Sequence, residues 1–243
     1  FPKAFVEVGG QSLLEHALQP IASLSTPLEL VVVAPQSWVE PAREISERAL
    51  NSAVDIRVVP GGATRSTSVR SGLEAIGPNV KTVLIHDAAR AFAPQEVFQR
   101  VIDAVEAGAA GVIPVREVAD TIVPVDDQSR TKRAVPRDEL RSVQTPQGFS
   151  AAALRASYES FDGDATDDAE VLRLAGYEVI SVEGHEASHK ITYPSDLEAV
   201  RRRLADNANL RVGTAVDVHQ FDPEARLIVG RNAFRWPGAL WAQ

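Results

Sequence analysis

The sequence predicts an α/β protein with a doubly wound, mainly parallel sheet. Two features carry that prediction. Apolar runs of strand length alternate five times with stretches of helical spacing between Leu13 and Val115, the rhythm of βα units wrapped on both faces of a sheet. The apolar run Val83-Leu84-Ile85 then ends abruptly in His86-Asp87-Ala88-Ala89-Arg90. Polar residues are thereby set at the C-terminal tip of a buried strand, where open α/β sheets bind ligands.

Each element has its own signal. Residues 13–24 carry apolar side chains at helical spacing, with Ser12 and Glu15 forming a capping-box pair at the start. Residues 28–34 form a nearly unbroken apolar strand, 37–50 a helix and 55–60 a second strand. Gly61-Gly62 then breaks the chain before a helix over 66–76. The central strand is 82–87. Pro94 opens the next helix, 94–107, and 111–115 is a short strand. From 116 to 139 the helical stripe disappears, while Thr121-Ile122-Val123 and Lys132-Arg133-Ala134-Val135 flank a polar turn at 126–129. This reads as a projecting hairpin arm or as a mobile loop. A hairpin with so little apolar surface needs something to pack against, so an arm that builds a homodimer is the expectation. Helices follow at 150–161 and 167–175, then a strand at 178–183 and a last helix at 194–204. Residues 206–210 are a polar linker, and 211–243 open with an apolar alternation that belongs to nothing before it.

Composition narrows the function. At 243 residues the chain can hold one large or two modest domains. A formal charge of −8 argues against a nucleic-acid or membrane-surface binder, so any anionic ligand must be met by a local basic pocket. The absence of cysteine fits a cytoplasmic protein, and no apolar run approaches the ~20 residues of a membrane span. There is no methionine and the chain opens on Phe1-Pro2-Lys3, so a preceding segment is expected.

On spacing alone, the central stretch has two readings. Asp87 could hold Mg²⁺ while the Arg90 guanidinium grips a phosphate with paired donors. Alternatively, a strand leads into a capped helix, with Asp87 and Arg90 merely paired at the surface.

Four stretches taken together tip this balance. Pro2-Lys3-Ala4-Phe5 followed by Gly9-Gly10, Gly61-Gly62 with Arg65 and Ser68, His86-Asp87-Ala88-Ala89-Arg90, and Thr145-Pro146-Gln147 with Lys190 stand in an order and spacing that resembles the 2-C-methyl-D-erythritol 4-phosphate cytidylyltransferase family over residues 1–205. The resemblance implies a Rossmann-like nucleotidyltransferase that moves CMP from CTP to a phosphorylated polyol with Mg²⁺, releasing pyrophosphate. Lys3 and Lys190 are then the catalytic lysines. Lys3, Gly62, Ala63, Arg65, Ser68 and Asp87 hold CTP; Gly62, Ala63 and Ser68 form the cytosine pocket and Arg65 buttresses that loop. Asp87, Arg90, Thr121, Arg137, Thr145 and Lys190 bind the acceptor, with Thr121 and Arg137 supplied by the partner subunit's arm, and Asp87 also holds Mg²⁺. Glycine is expected at 62 so that the backbone can approach the base. The attacking group is itself a phosphate monoester whose second pKa is near ~6, so no side chain need act as general base. His86 is accordingly a strand-end structural residue.

Two departures stand beside the resemblance. The family's first strand and arginine-containing glycine-rich loop, expected directly before Pro2-Lys3, are not in this sequence; taken alone, the chain is expected to be a poor catalyst. Position 63 is alanine where some members carry an acid. In the tail, Arg211-Val212-Gly213 with Asp217-Val218-His219-Gln220-Phe221 resembles the opening strand of 2-C-methyl-D-erythritol 2,4-cyclodiphosphate synthases. By that resemblance Asp217 and His219 would ligate Zn²⁺ or another divalent metal in a second domain that is incomplete here. The parent would then be a bifunctional fusion. Competing readings are a cytidylyltransferase for another polyol phosphate and a non-catalytic nucleotide-binding module. An NAD-type oxidoreductase is disfavoured because no Gly-x-Gly-x-x-Gly follows a strand.

Overall fold

The computed structural model describes residues 1–24, 28–50, 54–209, 227–229 and 232–234. Chain compactness separates a unit of Phe1–Asp206 from a smaller one of Asn207–Gln243. In the latter, the described part is an antiparallel pair, Leu227–Val229 with Asn232–Phe234. Asp217 and His219 lie outside the described residues.

The first unit is the α/β body expected from the alternation. A short hairpin, β1 (Glu7–Val8) with β2 (Gln11–Ser12), leads into α1 (Leu13–Ala22). The Ser12–Glu15 capping box is present in both directions, and Glu15 also receives Arg48 of α2 (Val39–Leu50) at 2.9 Å. β3 (Glu29–Ala34) and β4 (Asp55–Pro60) pair in parallel. α3 (Arg65–Ala75), β5 (Thr82–Ile85), α4 (Gln95–Glu106) and β6 (Gly111–Glu117) continue the alternation, followed by β7 (Arg141–Val143), β8 (Gln147–Ser150), α5 (Ala151–Ser160), α6 (Asp168–Leu174), β9 (Val179–Glu183) and α7 (Pro194–Asn209).

The sheet is mixed in a way the sequence did not announce. β5, β6 and β9 run one way, but β8 lies antiparallel between β5 and β6, and β7 pairs antiparallel with the far end of β6. The central run Val83–Ile85 is therefore hydrogen-bonded to an antiparallel neighbour. It is also half-buried instead of fully buried. Val83 and Ile85 line a cavity of about 900 Å³ together with Val31 and Val33 of β3, Phe5 and Leu14.

Helices cover both faces. Val101 and Val105 of α4 pack on Val112 of β6 from one side. From the other, Leu154 and Tyr158 of α5 and Val171 and Leu172 of α6 close over Phe149 and Ile113. The arm is a ribbon held by two isolated bridges, Ile122 with Val135 and Val125 with Thr131, turning at Ser129 with φ 61°. Pro124 and Pro136 each lack an N–H, which suits bridges better than a continuous ladder. Among the described residues, no helix is long and apolar enough to cross a membrane.

Helix α4 packs closely on Gly148, where an added Cβ would sit 2.3 Å from Val101 Cγ1 and 3.1 Å from Val105 Cγ2. Gly148→Ala is expected to cost about 1–3 kcal/mol of stability through overpacking, seen as a lower urea midpoint at unchanged m-value.

Candidate active site

Asp87 leaves the tip of β5 and enters a 3-10 turn, Ala88–Arg90. Its Oδ2 accepts a hydrogen bond from Lys190 Nζ at 2.7 Å. The partner of Asp87 is thus Lys190, 103 residues away, and the surface pairing with Arg90 is not what forms. Burial alone would raise the Asp87 pKa, but the Lys190 hydrogen bond and charge, with Arg65 behind, bring it below the ordinary aspartate value. Asp87 therefore remains an anion across the neutral range.

Lys190 is delivered by a docked loop. Ile191 N–H donates to the Ala89 carbonyl at 2.8 Å. The Gln144 side chain donates to the His185 carbonyl and accepts the His185 N–H, each at 2.9 Å. Lys3, in the opening turn Lys3–Phe5, donates to the carbonyls of Ile191 at 3.3 Å and Thr192 at 3.4 Å, so both expected catalytic lysines meet the same loop.

A small cavity of about 180 Å³ is lined by Asp87, Lys190, Arg65, Arg90 and Thr145, five of the residues expected to bind ligand, and also by Gln147, Thr166 and Asp167. Lys3, Gly62, Ala63, Ser68, Thr121 and Arg137 do not line it. Arg137 instead donates to the Ala119 carbonyl at 3.0 Å, and both it and Thr121 are exposed on the arm.

Arg90 donates from Nη1 to the Ser188 carbonyl at 2.8 Å and from Nη2 to the Val143 carbonyl at 3.0 Å, which ties the Lys190 loop to β7. Its pKa is lowered by burial, opposed by the Asp87 charge. Arg65 Nη2 meets Asp168 Oδ2 at 2.5 Å, and the fully buried Asp168 also accepts the Tyr158 hydroxyl at 2.6 Å. Burial lowers the Arg65 pKa, but Asp168 more than restores it. Burial, then the Asp168 charge, push the Tyr158 phenol above its ordinary range. Arg65 thus braces the glycine loop against α6, a partner that sequence reading missed. The buried Tyr158 and Asp168, ten residues apart on two helices, left no periodic signal to find it.

The glycine loop follows β4 on the exposed rim. Gly62 N–H donates to Ser68 Oγ at 3.1 Å, and Ser68 Oγ donates to the Thr64 carbonyl at 2.8 Å. A Cβ at Gly62 would lie 2.2 Å from Thr67 Oγ1, so the local fold already demands glycine there. Ala63 is exposed beside it.

His86 Nδ1 lies 3.0 Å from Thr145 Oγ1, and its ring packs on Phe98 with centroids 4.9 Å apart. Burial foremost, with Arg90 adding and Asp87 opposing, lowers its pKa to about 4. It is neutral near pH 7, as suits a structural role.

A mixed α/β sheet with a polar cavity walled by lysine and arginine at a strand tip is the architecture of a nucleotidyltransferase-like protein. Comparison with known proteins gives the particular family. The family model for 2-C-methyl-D-erythritol 4-phosphate cytidylyltransferase, IspD, matches residues 1–205. The chain belongs to that family. A cytidylyltransferase of this name from Saccharopolyspora erythraea is 44% identical over 207 residues, covering 84% of this chain and 91% of the relative. A bifunctional enzyme IspD/IspF from Clavibacter michiganensis is 39% identical over 245 residues, covering 98% of this chain, which spans 59% of that relative's length. Among solved structures, the 4-diphosphocytidyl-2C-methyl-D-erythritol synthase of Anaerococcus prevotii superposes with a TM-score of 0.76 at 29% identity, covering 84% of this chain and 90% of that one. The cytidylyltransferase of Thermus thermophilus gives 0.70 at 34% identity, with 84% and 94% covered.

Removing the Asp168 carboxylate strands a largely desolvated guanidinium. Asp168→Ala is expected to destabilise the protein by about 3 kcal/mol, with Asp168→Asn milder, as measured by equilibrium urea unfolding.

Proposed function

We propose that the chain transfers CMP from CTP to the phosphate of 2-C-methyl-D-erythritol 4-phosphate and releases pyrophosphate. The observation that supports this most is the Asp87–Lys190 pair, set in one cavity with Arg65, Arg90 and Thr145. An acceptor phosphate oxygen attacks the α-phosphorus of CTP, and the bond to the pyrophosphate oxygen breaks. The acceptor is ionised already, so the chain's task is to bring two anions together and hold them in line. Lys190, fixed by Asp87, and Lys3, fixed on the same loop, supply positive charge where the two phosphates meet. Arg90 and Thr145 hold the acceptor phosphate, and Gly62, Ala63 and Ser68 read the base.

Asp87 suits Mg²⁺ as a hard carboxylate ligand. The described residues hold no group of three or more acidic, histidine or cysteine side chains fit for a metal, so the remaining ligands would come from CTP oxygens and water. When bound, the ion would neutralise triphosphate charge. Residues 211–243 are the opening of a second, cyclodiphosphate synthase domain, with Asp217 and His219 its first metal ligands. The match to the Clavibacter bifunctional enzyme across 98% of this chain supports that reading.

The arm is the dimer contact. Ile122, Val123 and Val125 are exposed along it, an apolar strip on an element too thin to bury it. In this reading, Thr121 and Arg137 act in the partner's site.

A pyrophosphate-release assay of the full-length protein with CTP and a panel of polyol and sugar phosphates tests the activity. The methylerythritol phosphate should be the fastest acceptor, and a faster rate with another phosphate would reassign the substrate. Lys190→Ala should lower kcat about 10²- to 10³-fold with circular dichroism unchanged; near-normal turnover would remove its role. Arg137→Ala should raise KM for the acceptor far more than KM for CTP. Mixing Arg137→Ala with Lys190→Ala subunits should restore activity, because hybrid dimers carry one intact site; no restoration would place Arg137 outside the partner's site.

A further inference from the structure

We infer that His86 is a positioning residue: by donating its Nδ1–H to Thr145 Oγ1, it turns the Thr145 hydroxyl proton toward the acceptor phosphate. The inference rests on the reading above, in which Thr145 contacts that phosphate, and it goes beyond it by naming what sets the direction of the hydroxyl.

The argument is a count of lone pairs. A threonine hydroxyl has one proton to donate and two lone pairs to accept with. Thr145 Oγ1 accepts the Asp87 backbone N–H at 3.1 Å, which uses one pair. The contact with His86 Nδ1 at 3.0 Å can run in either direction. If Nδ1 carries the proton, Oγ1 accepts twice and its own proton is free to point into the cavity that Thr145 lines. If Nδ1 is bare, the threonine proton is spent on the ring and a phosphate would meet a lone pair.

The other ring nitrogen decides between them. His86 Nε2 is buried and has no hydrogen-bond partner. The Arg90 carbonyl, which accepts the Ala93 N–H at 3.1 Å, acts on the ring as a backbone acceptor but lies outside hydrogen-bond geometry at Nε2. An orphaned buried N–H donor is rarer than an under-satisfied acceptor, so the proton belongs on Nδ1, where it has a partner. The tautomer is thus chosen on the buried side of β5 and read out on the cavity side.

The test pairs spectroscopy with kinetics on the full-length protein. Nitrogen-15 NMR of histidine-labelled wild type should show His86 as the Nδ1–H tautomer, and an Nε2–H signal would overturn the proposal. Thr145→Val should raise KM for 2-C-methyl-D-erythritol 4-phosphate about tenfold with KM for CTP unchanged. His86→Phe, which keeps the ring and removes the donor, should reproduce that split. The double variant should be no worse than either single one. His86→Asn, whose amide can donate from near the Nδ1 position, should restore much of the loss. If Thr145→Val shows the split and His86→Phe does not, the hydroxyl needs no orienting donor and the proposal fails while the assignment of Thr145 survives. If Thr145→Val leaves the acceptor KM unchanged, both fall together. Should His86→Phe not fold, the NMR tautomer and the His86→Asn kinetics still decide the question.

Discussion

One ion pair closes the site. Asp87 sits at the end of a strand and Lys190 in a loop 103 residues later, and their 2.7 Å contact joins two parts of the chain that share no ladder. The carboxylate serves the lysine as a fixed counter-charge. Without it, a cation beside Arg65 and Arg90 would face like charges on a half-buried surface. With it, the ammonium is held in place before any anion arrives, which is the preorganisation that phosphoryl chemistry depends on.

The same logic repeats one layer back. Arg65 points at the cavity and is anchored by a carboxylate with no solvent exposure, which is itself held by a buried phenol. Arg90 is anchored differently, by two carbonyls from separate segments, Ser188 and Val143. Neither guanidinium is a free surface cation. Each has been immobilised by groups outside the cavity, so the entropy of ordering it has been met on folding and not on binding. A chain with a formal charge of −8 can thereby gather Arg65, Arg90 and Lys190 around one cavity.

Much of this was legible in the sequence. The helices came from periodicity and the first cap from Ser12 and Glu15. The tip residues Asp87 and Arg90 came from an apolar run that stops short. Local signals failed where the partner was distant. β7 and β8 were not foreseen, because three- and four-residue strands flanking Thr145-Pro146 carry too few alternations to register a period. Asp168 is one of four acids between Asp164 and Glu170, and only its burial against Arg65 and Tyr158 distinguishes it. The glycine at 62 was expected for the sake of a ligand, whereas Thr67 alone already excludes a side chain there.

The unforeseen reversal of β8 is what places Thr145. In the antiparallel ladder Ile85 faces Gln147 and Leu84 faces Gly148. Carried two residues past the end of β5, the same register sets Asp87 opposite Thr145, where the Asp87 N–H does meet the threonine hydroxyl. A parallel neighbour could not do this, since its residues would climb in the same direction and bring a strand's end, not its beginning, beside Asp87. A slip of one residue would put Thr145 on the wrong face, because side chains alternate with period two. Gly148 guards against that slip: it is the position where α4 leaves no room for a Cβ, so only this register lets Val101 and Val105 close over the strand. The packing of a helix against a glycine thus determines where a hydroxyl stands in the cavity.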